Sequence, residues 1–243
     1  MRPQTRALRL HGSIARKLGV AILAGSLPAG HILDGEIASS EHFAVSRTAY
    51  REAVRILAAK GLLDSRPKAG TRVNPRERWH LLDPDVLEWM FDSDPEPELL
   101  DSLFELRMLV ESAAAGLAAT RRSDTDLTAM RSALQGMAKH TLAAEAGQRS
   151  DLDFHAALLA ATRNPFIVSM TEGVNAAIRT TTIFKQRKQK LKRDPLPDHL
   201  AVFEAVAARD ATRAKSAMSA LIELARTDTP SRRRIRPDRR RSR

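Results

Sequence analysis

Residues 44–60 run Ala44-Val-Ser-Arg-Thr-Ala-Tyr-Arg-Glu-Ala-Val-Arg-Ile-Leu-Ala-Ala-Lys60, and this stretch decides the fold of the N-terminal part of the chain. Its spacing predicts one helix with two faces, because a helix turns by about 100° per residue. The apolar face that can be buried comprises Val45, Ala49, Ala53 and Ile56. The opposite face carries a stripe of arginines one turn apart, Arg47, Arg51 and Arg55. Ser46 is a suitable N-cap for this helix.

An apolar face beneath evenly spaced arginines suits a helix that enters a DNA major groove. Arginine contacts phosphates there or pairs bidentately with guanine. For a basic helix considered by itself, a solvated surface without a partner is the simpler interpretation. The rest of the chain therefore has to distinguish these two possibilities.

The charge of the chain is concentrated at its two ends. The net charge is +11, and residues 1–75 hold 12 Lys/Arg against 5 Asp/Glu. Residues 229–243 hold 8 against 1, whereas residues 76–228 hold 20 against 23. Basic ends on an otherwise mildly acidic chain are typical of nucleic-acid binding by those ends.

Other features of the composition exclude several classes of protein. There are no cysteines, so disulfides and thiolate chemistry are absent, and a reducing cytoplasm is the expected location. We find no apolar run that could span a membrane and no signal peptide, so no membrane partner is expected. Low aromatic content with abundant Ala and Leu favours helices.

The segments on either side of the arginine helix predict the order of helices and strands in this part of the chain. Apolar residues recur every four positions over about 6–24, which predicts a first helix, and 25–30 is a turn. A short second helix is predicted over about 35–43. After residue 61, two short strands are predicted around a Pro/Gly turn. Three helices followed by a hairpin predict a winged helix-turn-helix, with Arg66, Lys68 and Arg72 on the wing for phosphate or minor-groove contact.

Residues 22–73 resemble the DNA-binding domain of GntR-family transcription regulators. The matching pieces are Ile22-Leu-Ala-Gly-Ser-Leu-Pro-Ala-Gly30, Phe43-Ala-Val-Ser-Arg-Thr-Ala-Tyr-Arg-Glu-Ala-Val54, Leu57-Ala-Ala-Lys-Gly-Leu-Leu63 and Ala69-Gly-Thr-Arg-Val73. The resemblance implies that Arg47 and Arg51 contact operator DNA, flanked by Ser46 and Thr48, and that Gly70 allows close approach of the wing. It gives Arg55 no defined base contact, so Arg55 is a phosphate contact or a surface charge.

One departure from that family lies before the second helix. This chain has Leu33-Asp-Gly-Glu36-Ile37 where the family usually has Leu-Pro-Ser/Ala-Glu, often with a basic residue next. A basic contact is therefore absent at that position.

The remaining chain divides into three predicted parts after a DNA-binding domain over 1–75. Residues 76–97 form a connector that is too apolar for a free linker, and we expect it to pack on the second domain. Residues 98–228 form an all-helical domain of about six helices, with breaks near 121–124, 147–150, 163–165 and 194–197. Residues 229–243 form a disordered basic tail. The basic cluster at 185–193 is predicted to be a solvated helix end or loop, and contact with an anionic partner is the alternative.

Polar side chains occur on inward faces of the second domain. Asp151 and His155 are one turn apart and share their face with Leu158 and Leu159, and His199 lies on the apolar face of another helix. An unpaired buried polar group is costly, so these groups either satisfy one another or together hold a metal. Arg107 also lies on the apolar side of its helix, where the simplest partner is Glu111 four residues later.

This domain resembles the all-helical FCD domain of FadR-type GntR regulators. The matching pieces are Glu105-Leu-Arg107, Glu111, Asp151-x-x-Phe-His155, Asn164-Pro165 and Asp198-His199. The resemblance implies a divalent metal, zinc or similar, bound by an Asp and three His. Asp151, His155 and His199 match three of these ligands, and Leu221 occupies the position of the fourth. It also implies that Arg107 lines an effector cavity and binds a carboxylate. The connector further resembles that of sugar-acid regulators, particularly those of D-galactonate operons.

Together these features predict a homodimeric, cytoplasmic transcription regulator that represses its operon and is not an enzyme. It would bind a double-stranded operator through two winged helix-turn-helix domains and respond to a small carboxylate effector, a sugar acid. Two other classes stay open on the sequence alone. One is a metal-dependent hydrolase that uses Asp151, His155 and His199, against which no candidate general base is evident. The other is an architectural binder that contacts DNA without sequence preference through its basic ends.

Overall fold

The computed structural model describes residues 3–66, 70–92, 95–188 and 193–230, and the chain divides into two compact units at residues 94 and 95. The first unit begins with three helices, α1 (Pro3–Leu23), α2 (Glu36–His42) and α3 (Arg47–Ala59). An antiparallel hairpin follows, formed by β1 (Leu63–Arg66) and β2 (Gly70–Val73). This order confirms the predicted winged helix-turn-helix.

The arginine helix α3 begins where its cap predicts, but its buried face differs from the prediction. The hydroxyl of Ser46 accepts a hydrogen bond from the backbone N–H of Ala49 at 3.2 Å. The buried residues of α3 follow the spacing i, i+3, i+4, i+7 and are Tyr50, Ala53, Val54 and Leu57. Of the predicted face only Ala53 is fully buried, because Val45 precedes the helix and Ala49 and Ile56 lie at the edges of the packed stripe.

The wing has a third segment that the turn prediction missed. Backbone hydrogen bonds join Gly30 and His31 to Val73 and join Leu33 to Thr71, so residues 30–33 lie alongside β2. Gly70 has a φ of +80°, which an L side chain adopts at a cost. Lys68 and the side chain of Arg66 lie outside the described residues.

The connector up to residue 92 packs within the first unit, whereas we expected the connector to pack on the second domain. Its helix α4 (Pro84–Met90) lies against α1, and the Trp89 ring occupies the space beside Gly19. A Cβ at Gly19 would lie 2.3 Å from Trp89 Cε3, so the missing side chain permits this contact. Lys60 at the C-terminus of α3 contacts Asp83 and Asp85 at 2.7 and 2.8 Å. These partners lie within the first unit and could not be chosen from sequence hydrophobicity alone.

The second unit contains seven helices in the described residues rather than about six. They are α5 (Pro97–Arg121), α6 (Asp124–His140), α7 (Glu145–Ala161), α8 (Pro165–Ser169), α9 (Thr171–Lys188), α10 (Leu196–Ala207) and α11 (Ala211–Thr227). The predicted break at 147–150 is wrong, since these residues lie inside α7. The chain turns at Thr141, and Gly147 instead lets the loop approach α7 closely, because a Cβ there would lie 1.6 Å from the Thr141 carbonyl oxygen.

Helix α5 lies at the centre of this unit and packs on α11, α7 and α10. The contact between α5, α7 and α9 is a cluster of apolar residues that includes Ala114, Leu159, Val174 and Ile178. These helices place polar side chains toward a common interior space, which is described below. Thr229 is buried, and the rest of the predicted basic tail, from residue 231, lies outside the described residues.

Candidate ligand cavity and nucleic-acid interface

Asp151, His155 and His199 come together in the interior of the helical unit. The first two lie one turn apart on α7, and His199 comes from the first turns of α10. Asp151 Oδ1 lies 2.9 Å from His199 Nε2 and 3.9 Å from His155 Nε2, and the two Nε2 atoms are 3.4 Å apart. All three residues are buried. Their nitrogen and oxygen atoms therefore converge on one point, as a shared ligand would require.

The far side of each imidazole is held by a polar partner. His199 Nδ1 lies 2.8 Å from the Pro195 carbonyl oxygen, to which it donates, and His155 Nδ1 lies 2.5 Å from Glu111 Oε2. A carboxylate or carbonyl at Nδ1 favours the tautomer whose Nε2 carries the free lone pair. Both free nitrogens then face Asp151, which is the orientation that metal-binding histidines need.

The chemistry of this donor set fits a small divalent metal. Two imidazole nitrogens and one carboxylate oxygen, all within 4.8 Å of one another, supply three ligand atoms. Ligands about 2.0–2.1 Å from a tetrahedral centre lie roughly 3.4 Å apart, which matches the separation of the two Nε2 atoms. Without a metal the same groups still satisfy one another in part, because a doubly protonated His199 donates from Nε2 to Asp151 as well as from Nδ1 to Pro195.

The pairing of these groups shifts their protonation. Burial alone raises the pKa of Asp151, but the hydrogen bond and charge of His199 outweigh burial and lower that pKa. Burial lowers the pKa of His199, and the contact with Asp151 outweighs it and raises the pKa. The pair therefore favours the charged form of both partners.

Glu111 connects this cluster to Arg107. Arg107 Nε donates to Glu111 Oε1 at 2.7 Å, while the other carboxylate oxygen faces His155. Burial raises the pKa of Glu111, but the charges of Arg107 and His155 outweigh burial and bring the pKa to about 2. Glu111 is completely buried and Arg107 is 3% exposed. A fully buried carboxylate thus stays charged because two neighbours compensate it.

A cavity opens beside the cluster. Its volume is about 620 Å³ when the adjoining space that is open to solvent is included. Its lining combines the cluster with cationic, hydroxyl and apolar side chains: Arg107, Leu142, Asp151, His155, Ile178, Thr182, Lys185, Arg193, Pro195, His199, Leu221, Ala225 and Asp228. Arg107 therefore both pairs with Glu111 and lines the cavity. Leu221 lines the cavity and contributes no ligand atom there.

Two residues of the basic cluster at 185–193 differ from the predicted solvated end. Lys185 is only 9% exposed and Arg193 is half-buried, and both line the cavity. Arg193 forms ion pairs with Asp198 and, at 2.9 Å, with Asp228. The helical spacing of α9 directs Lys185 to the same inward face as Thr182. This face was not predicted, because Lys185 begins a run of basic residues in the sequence. Residues 189–192 lie outside the described part of the chain.

The arginine stripe of α3 is exposed as predicted, and its members differ in their partners. Arg47 has neither an ion pair nor a hydrogen bond within the described ranges. Arg51 is 4.0 Å from Glu36, at the limit of an ion pair, whereas Arg55 binds Glu52 at 2.6 Å. Arg47 and Arg51 are therefore the cations most available to a polyanion.

A groove runs between α3 and the wing. Its lining includes Arg51 and Arg55 on one side and Ser65, Gly70 and Thr71 on the other. Ser46 and Thr48 are exposed at the start of the helix beside Arg47. An exposed helix with flanking hydroxyl and basic groups next to a hairpin has the elements of a major-groove contact with an adjacent wing.

Comparison with known proteins identifies both units. Residues 10–73 match the family described as "Bacterial regulatory proteins, gntR family", and residues 102–224 match the FCD domain. The chain belongs to the GntR family. GntR regulators with an FCD domain bind DNA through the first unit and small-molecule effectors through the second.

Two relatives and one solved structure illustrate the match of this GntR regulator. It is 33% identical over 208 residues to the galactonate operon transcriptional repressor of Escherichia coli K12, covering 84% of this chain and 90% of the relative. It is also 33% identical over 213 residues to the uncharacterised HTH-type regulator YieP of the same organism, covering 86% and 90%. The fold matches that of Lar of Listeria monocytogenes with a TM-score of 0.62 at 17% identity, over 90% of this chain and 96% of that chain.

Family membership confirms the prediction that this GntR protein is a transcription regulator and not an enzyme. The hydrolase interpretation of Asp151, His155 and His199 is therefore set aside. Among the described residues no helix is long and apolar enough to cross a membrane.

Three contributors to the cavity and to the buried polar cluster beside it were not predicted from the sequence of this GntR protein. Glu111 was predicted as a partner of Arg107 alone, whereas it joins Arg107 to His155. Pro195 contributes a backbone carbonyl, which no side-chain pattern signals. Lys185 was hidden within a run of basic residues. The available signal was helical spacing, since Ile178, Thr182 and Lys185 are related by four and then three residues.

Proposed function

We propose that this GntR regulator is a homodimeric repressor whose operator binding is released by a small carboxylate effector, specifically a sugar acid. The observation that carries the proposal is the cavity in which Arg107 lies beside the Asp151, His155 and His199 cluster. A guanidinium next to a potential metal site suits a sugar acid. The carboxylate of such a ligand can bind the guanidinium, and a neighbouring oxygen of the ligand can bind the metal. The name of the galactonate operon repressor supports the choice of a sugar acid and of repression.

For operator recognition, we assign the central roles to Arg47 and Arg51. Their exposure and weak pairing support this assignment, because an arginine without an internal partner gives up little when it meets DNA. Ser46 and Thr48 would contact the backbone beside them, and Arg55, tied to Glu52, would contribute less. Arg66, Lys68 and Gly70 would form the wing contact. Two copies would place two recognition helices on successive major-groove faces, which is the reason for proposing a homodimer.

For the effector site, we assign a divalent metal to Asp151, His155 and His199. The convergence of their three ligand atoms and the partners behind both imidazoles support this assignment. Such a metal would supply a positive centre for an effector oxygen. Leu221 leaves that side of the site without a fourth protein ligand, so an effector or water oxygen would complete the coordination.

The proposal can be tested by selecting duplexes bound by the full chain from a random pool. A palindromic consensus is expected, and millimolar D-galactonate is expected to release the selected duplex in a gel-shift experiment. An Arg107→Gln variant, whose fold is verified by circular dichroism, should bind the same duplex and respond much less to galactonate. Glu105→Gln, an exposed change on the same helix, is the matched control.

Two results would contradict parts of this proposal. Bound duplexes without any shared sequence would favour an architectural binder that works through charge. Operator binding that no sugar acid or simpler carboxylate alters would reject the effector assignment while leaving the DNA assignment intact. Sedimentation of the complex with the selected duplex would measure whether two copies bind.

A further inference from the structure

Helix α9 presents a polar pair to the cavity. Thr182 and Lys185 lie three residues apart and both line it, with Ile178 one turn earlier. The Lys185 side chain has neither a hydrogen bond nor an ion pair within the described residues, although the residue is 9% exposed. A buried ammonium without a partner is costly, so this arrangement needs an explanation.

The charges around Lys185 do not provide a counterion of its own. Burial lowers the pKa of Lys185, and the nearby positive charge of Arg107 lowers it further. Asp228 and Asp151 act in the opposite direction. However, Asp228 pairs with Arg193, and Asp151 accepts from His199. Lys185 therefore faces another cation across a cavity whose acids are engaged elsewhere.

Arg107 has donors to share with a ligand. Only its Nε is used by Glu111, at 2.7 Å, and its terminal nitrogens make no hydrogen bond with any residue in the described ranges. Two buried cations that repel each other and retain free donors form a site for an anion. An anion that contacts both would remove their repulsion and supply the missing counter-charge.

We propose that Lys185 and Arg107 together hold the carboxylate of the effector, with the Thr182 hydroxyl beside them, so that Lys185 determines the affinity for anionic ligands. This inference rests on the proposed effector function of the cavity. In this proposal Lys185 serves ligand binding and does not stabilise the fold. Its ammonium group destabilises the ligand-free protein, and a bound anion compensates its charge. Binding sites often retain groups that are unfavourable for stability.

Removal of the Lys185 charge should therefore increase the stability of the ligand-free protein and decrease its affinity for an anion. Both quantities can be measured on the full-length protein. Lys185→Met keeps the length and apolar body of the side chain and removes its charge. We expect the ligand-free melting temperature to rise by roughly 2–5 °C, and the Kd for D-galactonate measured by calorimetry to increase roughly 10- to 100-fold. Lys185→Arg should retain most of the affinity. Lys139→Met, a change at an exposed lysine on α6, should alter neither quantity.

The outcomes separate this inference from the function on which it rests. Galactonate binding that is equal in wild type and Lys185→Met would reject the role of Lys185 and keep the effector assignment. A fall in ligand-free stability together with unchanged affinity would make Lys185 a structural residue. If inorganic phosphate stabilises the wild type through Lys185 and galactonate does not, the anion site stands and the sugar-acid assignment fails. If no anion of either kind binds, both proposals are rejected.

Discussion

Arg47 on α3 and Arg107 on α5 are the same residue type in opposite environments. Arg47 is exposed and has no partner within the described chain, whereas Arg107 is buried and paired with Glu111. A charge in water is inexpensive and remains available to a partner that arrives from solution. A buried charge needs a partner of opposite charge within the protein. Removal of one charged residue of such a group therefore leaves its partners buried and unpaired. The exposed arginines of α3 in the first unit can therefore act independently of one another. In the second unit, Arg107, Glu111 and His155 depend on one another for their compensation.

The largest effect is expected from breaking the dependent group at Glu111. Glu111→Gln leaves Arg107 and His155 without their shared carboxylate, and we expect the free energy of unfolding to fall by about 3–5 kcal/mol. Denaturant unfolding in buffer containing a chelator measures this change. Glu105→Gln, exposed on the same helix, should leave the unfolding free energy within about 0.5 kcal/mol of wild type.

The same pair of variants gives a dependence on pH. The pKa of Glu111 is lowered to about 2 in the fold, so its stabilisation is present above the unfolded-state pKa near 4.5 and is lost as the pH falls toward 2. The stability difference between wild type and Glu111→Gln should therefore shrink over that window. A difference that stays constant from pH 6 to pH 3 would show that folding does not lower the pKa of Glu111.

A smaller effect, confined to binding, is expected from the independent charges. Arg47→Ala combined with Arg51→Ala should weaken binding to the selected operator by roughly 100-fold or more, since each base contact contributes about 1–3 kcal/mol. The unfolding free energy should change by less than about 0.5 kcal/mol. Arg55→Ala, whose guanidinium already binds Glu52, is the matched control and should cost less than either single change. Unaltered operator affinity in the double variant would refute the assignment of α3.

The smallest effect tests the ligand position that Leu221 occupies. Leu221→His places an imidazole on the cavity wall beside the three existing ligands, and we expect roughly 10- to 100-fold tighter binding of Zn²⁺. Calorimetry on chelator-treated protein measures this, and Leu224→His on the exposed face of the same helix is the control. Equal zinc affinity in wild type and both variants would mean that residue 221 does not face the metal position, and a lack of zinc binding in wild type would reject the metal site itself.

Local patterns predicted a large part of the molecule. Helical spacing identified α3 and its exposed arginines, and Ser46 was correctly identified as its cap. The same spacing directed Asp151, His155 and His199 inward, because it depends only on the rotation per residue. Resemblance to GntR and FCD domains then assigned these faces to DNA and to a ligand.

Other features depended on which element packs against which. The connector is apolar, but only the close space at Gly19 determines that Trp89 packs on α1 in the first unit. Residues 30–33 pair with β2 although Gly30 belongs to the predicted turn, because the hairpin offers them free backbone groups. Gly147 was predicted to interrupt a helix, but it lies inside α7. The sequence alone does not distinguish a glycine that forms a turn from a glycine that permits a close contact.

The sequence by itself determined the element types, the exposed arginines of α3 and the inward direction of the two histidines. These depend on interactions between residues a few positions apart. Only the tertiary structure decided that Glu111 joins Arg107 to His155, that Pro195 orients His199 and that Lys185 is buried beside a second cation. Those relations connect α5, α7, α9 and α10, whose distances in space are set by packing and not by their separation along the chain.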